Sequence, residues 1–198
     1  MKKYTEKTID FYNKNIDAYT KSGAIVLKNK IDRFIKLLRG KKILDVASGP
    51  GHDTDYLTRK GFDCLGIDLS EKMIKYAEEN YEGKFELMDF FNLKLKENSF
   101  NGIWCSSAFI HAGKKDLDKI LTDFSKILKK EGILGIIIPT KQKREKRKND
   151  KRIFTMLNKV ELEKLLIKNG FKILFSEDFF YGKMKWVFII SEKNKGGR

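Results

Sequence analysis

Short apolar runs alternate with longer amphipathic segments over most of this 198-residue chain. The alternation predicts strands that are each followed by a helix, as in βαβ units. The run ILGIIIP, at residues 133–139, is apolar at nearly every position, which is typical of a strand covered by helices on both faces. Strands are predicted at residues 41–48, 62–69, 84–90, 100–107, 133–139, 171–180 and 183–193.

Helical spacing of apolar side chains marks the segments between these strands. The stretch from Lys114 to Lys130 places leucine, isoleucine and phenylalanine side chains on one face. Ser70 is a predicted N-cap, and Asn158 with Glu161 forms a predicted capping box. The predicted helices span about residues 5–20, 24–39, 53–61, 71–83, 114–130 and 158–170.

Only the last two strands are close enough in sequence to form a hairpin, with a short turn around Gly182. Each of the other strands requires a crossover helix before the next one. The prediction is therefore an α/β fold with a Rossmann-like, open, mostly parallel seven-stranded sheet. Helices are expected on both faces of the sheet, and the C-terminal hairpin is expected to be antiparallel. At this length the chain is expected to form one domain.

The chain carries a formal net charge of +15 and has a pI of about 9.6. Such a balance is compatible with nucleic acid or another polyanion as a partner. Lysine, however, greatly outnumbers arginine and is spread over nearly every predicted helix, which favours a composition bias on a solvated surface. The exception is KQKREKRKNDKR at residues 141–152, for which a flap is favoured over a polyanion clamp.

Several classes of protein are disfavoured by what the sequence contains. The start, MKKYTEKTID, has no apolar region typical of a secretory signal, and the longest apolar run is too short to cross a bilayer. Cys64 and Cys105 are isolated, and only two histidines are present, which argues against a disulfide framework or a structural zinc site. We expect a cytoplasmic monomer or dimer without bound metal or membrane contact.

The segment ILDVASGPGHDT, at residues 43–54, joins the first predicted strand to its helix and contains two glycines one residue apart. In an open α/β sheet, ligands bind outside the carboxyl ends of the strands, where this loop is expected. Asp68 closes the second strand 19 residues after Gly49, a spacing suited to an acid that binds ribose hydroxyls. Dinucleotide-binding and other adenosine-binding folds share this pattern.

Two details separate the candidate ligands. A dinucleotide fingerprint has Gly or Ala three places after the second glycine, where this chain has Thr54, and no P-loop is present. Asp45, at the tip of the first strand, would repel a pyrophosphate but suits an ammonium or sulfonium group. The loop therefore predicts a cationic, phosphate-free ligand with a ribose, and S-adenosylmethionine fits this description. An NAD oxidoreductase is the weaker alternative.

Residues 43–57, 61–80 and 85–138 together resemble class I S-adenosylmethionine-dependent methyltransferases. The resemblance is closest to the small UbiE-like and thiopurine- or tellurite-resistance-like enzymes, and it is continuous over residues 40–138. It implies one methyltransferase domain over residues 1–198. Its predicted parts are N-terminal helices or lid (1–39), cofactor-binding core (40–138), basic flap (139–157) and C-terminal helix with hairpin (158–198).

The resemblance also implies a set of donor-binding residues. Asp45 would orient the methionine ammonium, Asp68 would bind the ribose hydroxyls, and Asp89 would accept from the adenine amino group. Ala47 stands where the family more often has glycine. The other implied positions line the methionine part through their main chain (Ala47, Gly49, Gly51, Cys105 and Ser106) or surround the adenine (Leu69, Met73 and Phe90).

A sulfonium methyl is already electrophilic, so the protein has mainly to align an acceptor for in-line displacement and exclude water. His111, in SSAFIHAG after the fourth strand, is the candidate base or substrate-orienting residue. Tyr12 and Tyr19 are candidates for a lid, because an aromatic face near a sulfonium is favourable. His52 is expected to face solvent or to lie near the cofactor carboxylate.

The sequence thus predicts methyl transfer from S-adenosylmethionine to a small-molecule acceptor. The alternative is an RNA methyltransferase acting on tRNA through residues 141–152, although no Asn-Pro-Pro-Tyr-like motif follows the fourth strand. A non-catalytic cofactor-binding protein is a third possibility, against which the full set of acidic and glycine positions argues.

Overall fold

Seven strands form one mixed sheet in the computed structural model, which describes residues 3–20, 27–140, 152 and 154–194. The order across the sheet is β3-β2-β1-β4-β5-β7-β6. The strands are β1 (Lys42–Val46), β2 (Asp63–Asp68), β3 (Lys84–Leu87), β4 (Phe100–Ser106), β5 (Leu128–Pro139), β6 (Phe171–Tyr181) and β7 (Met184–Lys193).

Helices connect β1 to β2, β2 to β3 and β4 to β5, and helices cover both faces of the sheet. The chain from β3 to β4, residues 88–99, contains no helix, so the prediction of a crossover helix is wrong there. The pairs β1–β2, β1–β4, β2–β3 and β4–β5 are parallel, whereas β7 is antiparallel to both β5 and β6. The predicted fold class is therefore confirmed. The helices are α1 (Lys3–Lys14), α2 (Ile16–Thr20), α3 (Lys28–Ile35), α4 (His52–Arg59), α5 (Glu71–Asn80), α6 (Leu117–Ile127) and α7 (Lys159–Lys168).

The core lies in two main layers on opposite faces of the sheet, because successive side chains of a strand point to opposite sides. In β5, Ile136 packs in the cluster that includes Ile120 of α6 and Leu162 of α7. Its neighbour Ile137 packs in the cluster that includes Phe34 of α3 and Leu57 of α4. The apolar run in β5 is thus a strand covered on both faces, as predicted.

The caps predicted from the sequence are present. The Ser70 side chain accepts a hydrogen bond from the Met73 main-chain amide at the start of α5, at 3.2 Å. At α7, Asn158 Oδ1 accepts from the Glu161 amide, and Glu161 Oε2 accepts from the Asn158 amide, both at 2.9 Å. These reciprocal bonds satisfy two amides that have no partner within the helix.

The predicted N-terminal helices have different bounds in the structure. The helix predicted over residues 5–20 is divided into α1 and α2 at Asn15, whose Nδ2 donates to the Phe11 carbonyl at 2.7 Å. Such a side-chain bond competes with the helical pattern of the main chain. The helix predicted over residues 24–39 is shorter, as α3, and residues 24–26 lie outside the described chain.

Two other bounds also differ. The strand predicted over residues 84–90 ends at Leu87, where the Asp89 carboxylate accepts from the Phe91 amide at 2.9 Å and turns the chain. The helix predicted over residues 114–130 ends at Ile127. Leu128 instead begins β5 and pairs with Phe100, ahead of an irregularity in the register.

The basic segment of residues 141–152 lies outside the described residues, except for Arg152. The role predicted for it therefore stays a prediction, as do the bounds of the flap. Among the described residues, no helix combines the length and apolar character needed to span a bilayer.

Candidate functional site

A cavity of about 510 Å³ opens at the carboxyl ends of the central strands. β1 and β2 contribute Asp45 and Asp68, and β4 contributes Ser106. Tyr12 of α1 and Tyr19 of α2 line the cavity from the N-terminal segment. The strand order changes direction between β1 and β4, and this is where ligands bind in open α/β sheets.

Most of the residues predicted from the sequence come together in this cavity. Gly51, Asp89 and Cys105 are the exceptions among the predicted residues. Those that line the cavity are Tyr12, Tyr19, Asp45, Ala47, Gly49, Asp68, Leu69, Met73, Phe90, Ser106 and His111.

The three exceptions have contacts of their own. A Cβ on Gly51 would lie 2.8 Å from both Ala77 and Phe85, so this glycine permits the close packing of α4 on its neighbours. The Asp89 carboxylate forms the turn after β3. Cys105 is fully buried, and its burial raises the pKa of the thiol well above its usual range, which excludes a reactive thiolate at neutral pH.

The loop after β1 has the left-handed backbone that the two-glycine sequence suggests. Gly49 has φ of 54° and Gly51 has φ of 94°, conformations that favour glycine. Ala47 also has φ of 55°, although it carries a Cβ. The Ser48 amide donates to the Ile67 carbonyl at 2.9 Å, which ties the loop to β2.

Asp68 organises the edge of the cavity through both of its carboxylate oxygens. Oδ2 accepts from the Gly49 amide at 3.0 Å, and Oδ1 accepts from the Ser70 amide at 2.8 Å. Removal of the carboxylate from water raises its pKa, while these amide bonds oppose the increase. Asp68 therefore joins the glycine loop to the start of α5, a role that the sequence did not reveal.

Asp45 is only 2% exposed, and its Oδ2 accepts a hydrogen bond from the Thr54 hydroxyl at 2.7 Å. Thr54 is the residue that stands in place of the third small residue of a dinucleotide fingerprint. Burial, followed by the nearby charge of Asp53, raises the pKa of Asp45 well above its usual range. A cation in the cavity would offset both effects.

Asp53 is a cavity residue that the sequence reasoning missed. It lies in the first turn of α4, and its Oδ2 accepts from Trp104 Nε1 at 2.8 Å. Desolvation raises its pKa to about 6, against the lowering effect of the Trp104 bond. The position directly after the glycine loop could have indicated it. Asp53, Asp45 and Asp68 together give the cavity a concentrated negative charge that suits a cationic ligand.

Two helices of the N-terminal segment are fastened to the rest of the cavity. Tyr12 Oη and His111 Nε2 are 2.8 Å apart, and the ring of Tyr12 lies 5.1 Å from that of Tyr19. The Ser70 hydroxyl donates to Asn13 Oδ1 at 2.6 Å. Burial, and then the neighbouring Tyr19, raise the pKa of Tyr12, so its hydroxyl is protonated at neutral pH.

Arg152, at the end of the basic segment, packs against the same N-terminal segment. Its guanidinium lies 3.6 Å from the ring centroid of Phe11 and 4.9 Å from that of Phe154. The Phe154 ring in turn lies 5.5 Å from His111. Cation–π contacts of this kind stabilise α1 at the edge of the cavity.

Two residues of the cavity wall carry polar side-chain atoms that are buried without a partner in the described chain. Ser48 Oγ and His52 Nε2 are buried and have no hydrogen-bond partner among the described residues, and both residues line the cavity. Buried polar atoms of this kind are rare unless a ligand or water satisfies them. The three carboxylates that line the cavity suit a cationic ligand, as S-adenosylmethionine is.

The fold is Rossmann-like, and its cavity, lined by three acidic side chains, suits a cationic nucleoside. Residues 43–132 match a family described as a methyltransferase domain. The chain is 27% identical over 187 residues to the phosphoethanolamine N-methyltransferase of Plasmodium falciparum (isolate 3D7), covering 88% of this chain and 70% of that protein. It is 29% identical over 143 residues to the glycine/sarcosine N-methyltransferase of Parasynechococcus marenigrum (strain WH8102), covering 66% of this chain.

Among solved structures, the chain superposes on the 1,6-didemethyltoxoflavin-N1-methyltransferase of Burkholderia thailandensis, solved with 1,6-didemethyltoxoflavin and S-adenosylhomocysteine. The TM-score is 0.80 at 18% identity, covering 96% of this chain and 89% of that one. The chain spans about half, 49%, of the length of the glycine/sarcosine enzyme.

These matches support the predicted class I S-adenosylmethionine-dependent methyltransferase, with S-adenosylmethionine as its donor. The UbiE-like or resistance-enzyme branch stays a prediction.

Proposed function

We propose that this methyltransferase acts on a small-molecule acceptor, with His111 as the base. The supporting observation is that the Tyr12–His111 pair, at 2.8 Å, lines the same cavity as the three carboxylates. Acid–base groups and donor-binding groups thus face one enclosed space. A cavity of about 510 Å³ is in the usual range for small-molecule sites.

The carboxylates hold the donor in this proposal. Asp68 binds the ribose hydroxyls, and Asp45 with Asp53 provides the negative potential for the cationic end. When bound, S-adenosylmethionine supplies a methyl group on a positively charged sulfur, which the acceptor takes while S-adenosylhomocysteine is released. Tyr19, beside Tyr12, offers an aromatic face to that positive charge.

His111 removes the proton that the acceptor loses. Because the Tyr12 hydroxyl is protonated at neutral pH, it donates to His111 Nε2 in the neutral imidazole. The hydroxyl oxygen can then take a proton from the acceptor while its own proton passes to Nε2. General-base assistance of this kind contributes about 10²–10⁴-fold to a rate.

We further propose an amine as the acceptor group. The curated relatives include enzymes named for N-methylation of phosphoethanolamine and of glycine or sarcosine. An amine reacts only in its neutral form, so a base beside the donor site is useful for it. The aromatic side chains Tyr12, Tyr19 and Tyr181 around the cavity also suit an ammonium before its deprotonation.

The test is release of S-adenosylhomocysteine with phosphoethanolamine, glycine, sarcosine, pooled metabolites and total tRNA as separate acceptors. We expect turnover with a small amine, and a reduction of kcat by about 10²-fold or more in His111→Ala and Tyr12→Phe. Tyr56→Phe is the matched control, because its hydroxyl donates to Asp32 at 2.9 Å outside the cavity. Turnover with tRNA alone, or full activity of His111→Ala, would contradict the proposal.

The RNA alternative rests on the net charge of +15 and on the basic sequence of residues 141–152. The same assay, run at low and at high salt, separates the two functions. Phosphate contacts make RNA binding strongly dependent on salt.

A further inference from the structure

Arg152, the last residue of the basic segment, lies beside the Tyr12–His111 pair, and the proposed mechanism gives it no role. It is the only residue of the segment that belongs to the described chain. Its guanidinium stacks on the ring of Phe11 and lies 5.6 Å from the ring centroid of Tyr12. A fixed positive charge with several hydrogens to donate can decide how a neighbouring acid–base pair arranges its own hydrogens.

The residues that follow Arg152 fasten it to the turn that carries His111. The Thr155 amide donates to the carbonyl of Ile110, the residue before His111, at 2.8 Å. The ring of Phe154 contacts both the guanidinium and the His111 imidazole. Arg152 is therefore held in place relative to the pair by bonds and ring contacts of its own chain segment.

Two arrangements of hydrogen are open to an uncharged tyrosine and an uncharged histidine in contact. The Tyr12 hydroxyl can donate to His111 Nε2, or a hydrogen on Nε2 can be donated to the Tyr12 oxygen, since either ring nitrogen of a neutral imidazole can carry the hydrogen. The distance of 2.8 Å between Tyr12 Oη and His111 Nε2 fits both arrangements. Only the first leaves Nε2 able to take up a proton, so the choice decides whether His111 can act as a base.

Arg152 distinguishes the two arrangements, because a guanidinium can only donate hydrogen bonds. Burial raises the pKa of Tyr12 most, and the nearby Tyr19 and Asp68 raise it further, so Tyr12 keeps its hydrogen. The charge of Arg152, and a hydrogen bond from its guanidinium to the Tyr12 side chain, act in the opposite direction. If His111 also donated to the Tyr12 oxygen, the hydroxyl hydrogen would have no acceptor among the contacts of Tyr12 in the described chain, which is unfavourable for a buried group.

We propose that Arg152 is a positioning residue for the Tyr12–His111 pair: by donating to the Tyr12 oxygen, it directs the hydroxyl hydrogen to His111 Nε2 and keeps the imidazole in its Nδ1–H form. Arg152 acts through Tyr12 and is not among the described residues that line the cavity. Its effect on turnover rests on the proposed function, in which His111 is the base. Its effect on the hydrogens of the pair can be measured without any acceptor.

The experiment observes the His111 ring by nitrogen-15 NMR in the full chain. The chain contains two histidines, so the signals that disappear in His111→Gln identify the ring. At about pH 8.5, above the ordinary titration range of histidine, the nitrogen shifts show which ring nitrogen carries the hydrogen. We expect the Nδ1–H form in the wild type. In Arg152→Met, the ratio of the Nδ1–H form to the Nε2–H form should fall by about 2–10-fold, the effect of one lost hydrogen bond.

Arg152→Lys separates the donated hydrogen bond from the packing of the side chain. Methionine and lysine both have long unbranched side chains, but only lysine can donate a hydrogen bond. Lysine should therefore keep the wild-type ratio within about twofold, and methionine should not. With the small amine that the turnover assay identifies, kcat of Arg152→Met should fall by about 2–10-fold, whereas KM for S-adenosylmethionine should change less than about twofold.

Arg33→Met is the matched control, because the Arg33 guanidinium also stacks on an aromatic ring, 4.1 Å from the centroid of Phe175, and lies outside the cavity wall. It should change neither the ratio of the two His111 forms nor kcat. An unchanged ratio in Arg152→Met, or a wild-type His111 in the Nε2–H form, would overturn the inference. Absence of turnover with every small amine would instead contradict the proposed function and would leave the NMR result valid.

Discussion

Three carboxylates around one cavity are unfavourable for the protein alone, because each is withdrawn from water close to the others. Asp53 shows this effect most directly, since desolvation raises its pKa to about 6. Burial, and then the charge of Asp53, raise the pKa of Asp45. Such strain is typical of a binding site and is relieved when a cation binds.

The first prediction concerns the dependence of stability on pH. An acid whose pKa is higher in the folded than in the unfolded state stabilises the fold as the pH falls through the folded value. The free energy of unfolding of the ligand-free protein should therefore contain a term that increases by about 1 kcal/mol from pH 7 to pH 5 through Asp53. Denaturant titration of wild type and Asp53→Asn measures this term as the difference between them.

Asp53→Asn should be more stable than the wild type at pH 7, and the difference should shrink as the pH falls towards 5. A difference that is constant over this range would show that Asp53 is ionised without penalty. Bound donor should oppose this pH dependence of the free energy of unfolding in the wild type, because a bound cation lowers the pKa of the carboxylates.

The second prediction concerns Ala47. A left-handed backbone costs a residue with a Cβ about 1–2 kcal/mol, partly offset because glycine loses more chain entropy on folding. With φ of 55°, Ala47→Gly should raise the free energy of unfolding by about 0.5–1 kcal/mol. The control is Ala77→Gly in the interior of α5, which should lower it. A loss of stability in Ala47→Gly would mean that the loop is held by contacts rather than strained.

At the residue scale, sequence patterns predicted the carboxylates at the ends of strands and missed Asp53, which lies in a helix. Asp45 and Asp68 follow apolar strands, so their position at the sheet edge was evident. Asp53 lies in a helix, and its role depends on the Trp104 bond across 51 positions of sequence. The assignment of Gly51 to the donor stays a prediction, because a glycine pattern alone does not distinguish close packing from close approach to a ligand.

At the scale of elements, α1 closes the cavity through two hydrogen bonds to different parts of the chain. Tyr12 bonds to His111 after β4, and Asn13 accepts from Ser70 at the start of α5. Both bonds join residues that are far apart in sequence, so α1 takes this position only in the folded protein. The helix is the natural candidate for a lid over the donor.

The third prediction is that Asn13→Ala accelerates release of the donor product. Loss of one hydrogen bond, worth about 0.5–1.5 kcal/mol, should raise the dissociation rate of S-adenosylhomocysteine by about 2–10-fold. Stopped-flow displacement measures the rate. Asn80→Ala removes an amide that bonds only to the Tyr76 carbonyl in the described chain, and it serves as the control. An unchanged dissociation rate in Asn13→Ala would show that the Asn13 contact of α1 does not control release of S-adenosylhomocysteine.

The elements themselves were predicted well where side-chain periodicity and caps agree. The strands of the sheet and the capped helices α5 and α7 lie close to their predicted bounds. The errors fall where a local bond interrupts a periodic segment, as at Asn15, or where a helix continues directly into a strand, as at Leu128. Apolar spacing cannot reveal either feature.

At the scale of the whole molecule, a strongly basic chain contains an acidic cavity. The net charge is +15, yet Asp45, Asp53 and Asp68 line the donor site, and the residues that line it include no lysine or arginine within the described part of the chain. Surface charge and site charge therefore have opposite signs. The overall charge is a poor guide to what this cavity binds.

The fourth prediction follows from this separation of charge. Turnover with a small amine should change less than about threefold between 50 and 200 mM salt, because few surface charges contact so small an acceptor. An RNA acceptor held by 6–10 phosphate contacts would lose about 10³–10⁵ in affinity over the same range. Steady-state kcat/KM at the two salt concentrations decides between them.

The fold of the whole molecule was predictable from the alternation of strands and helices, and the donor from the glycine loop with its two acids. The acceptor was not, because the part of the cavity wall proposed for it comprises α1, His111 and the β6–β7 hairpin. These elements are far apart in sequence, and their contacts arise only on folding. Tyr181, which lines the cavity from that hairpin, gave no signal in the sequence.

The most direct test is calorimetry of S-adenosylmethionine with the wild type and with Asp68→Asn. The wild type should bind one equivalent. The variant keeps an acceptor for one loop amide but loses the charge, so its affinity should fall by about tenfold or more. Absence of binding heat in the wild type, or equal affinity in the two proteins, would contradict an acidic donor site at the ends of β1 and β2.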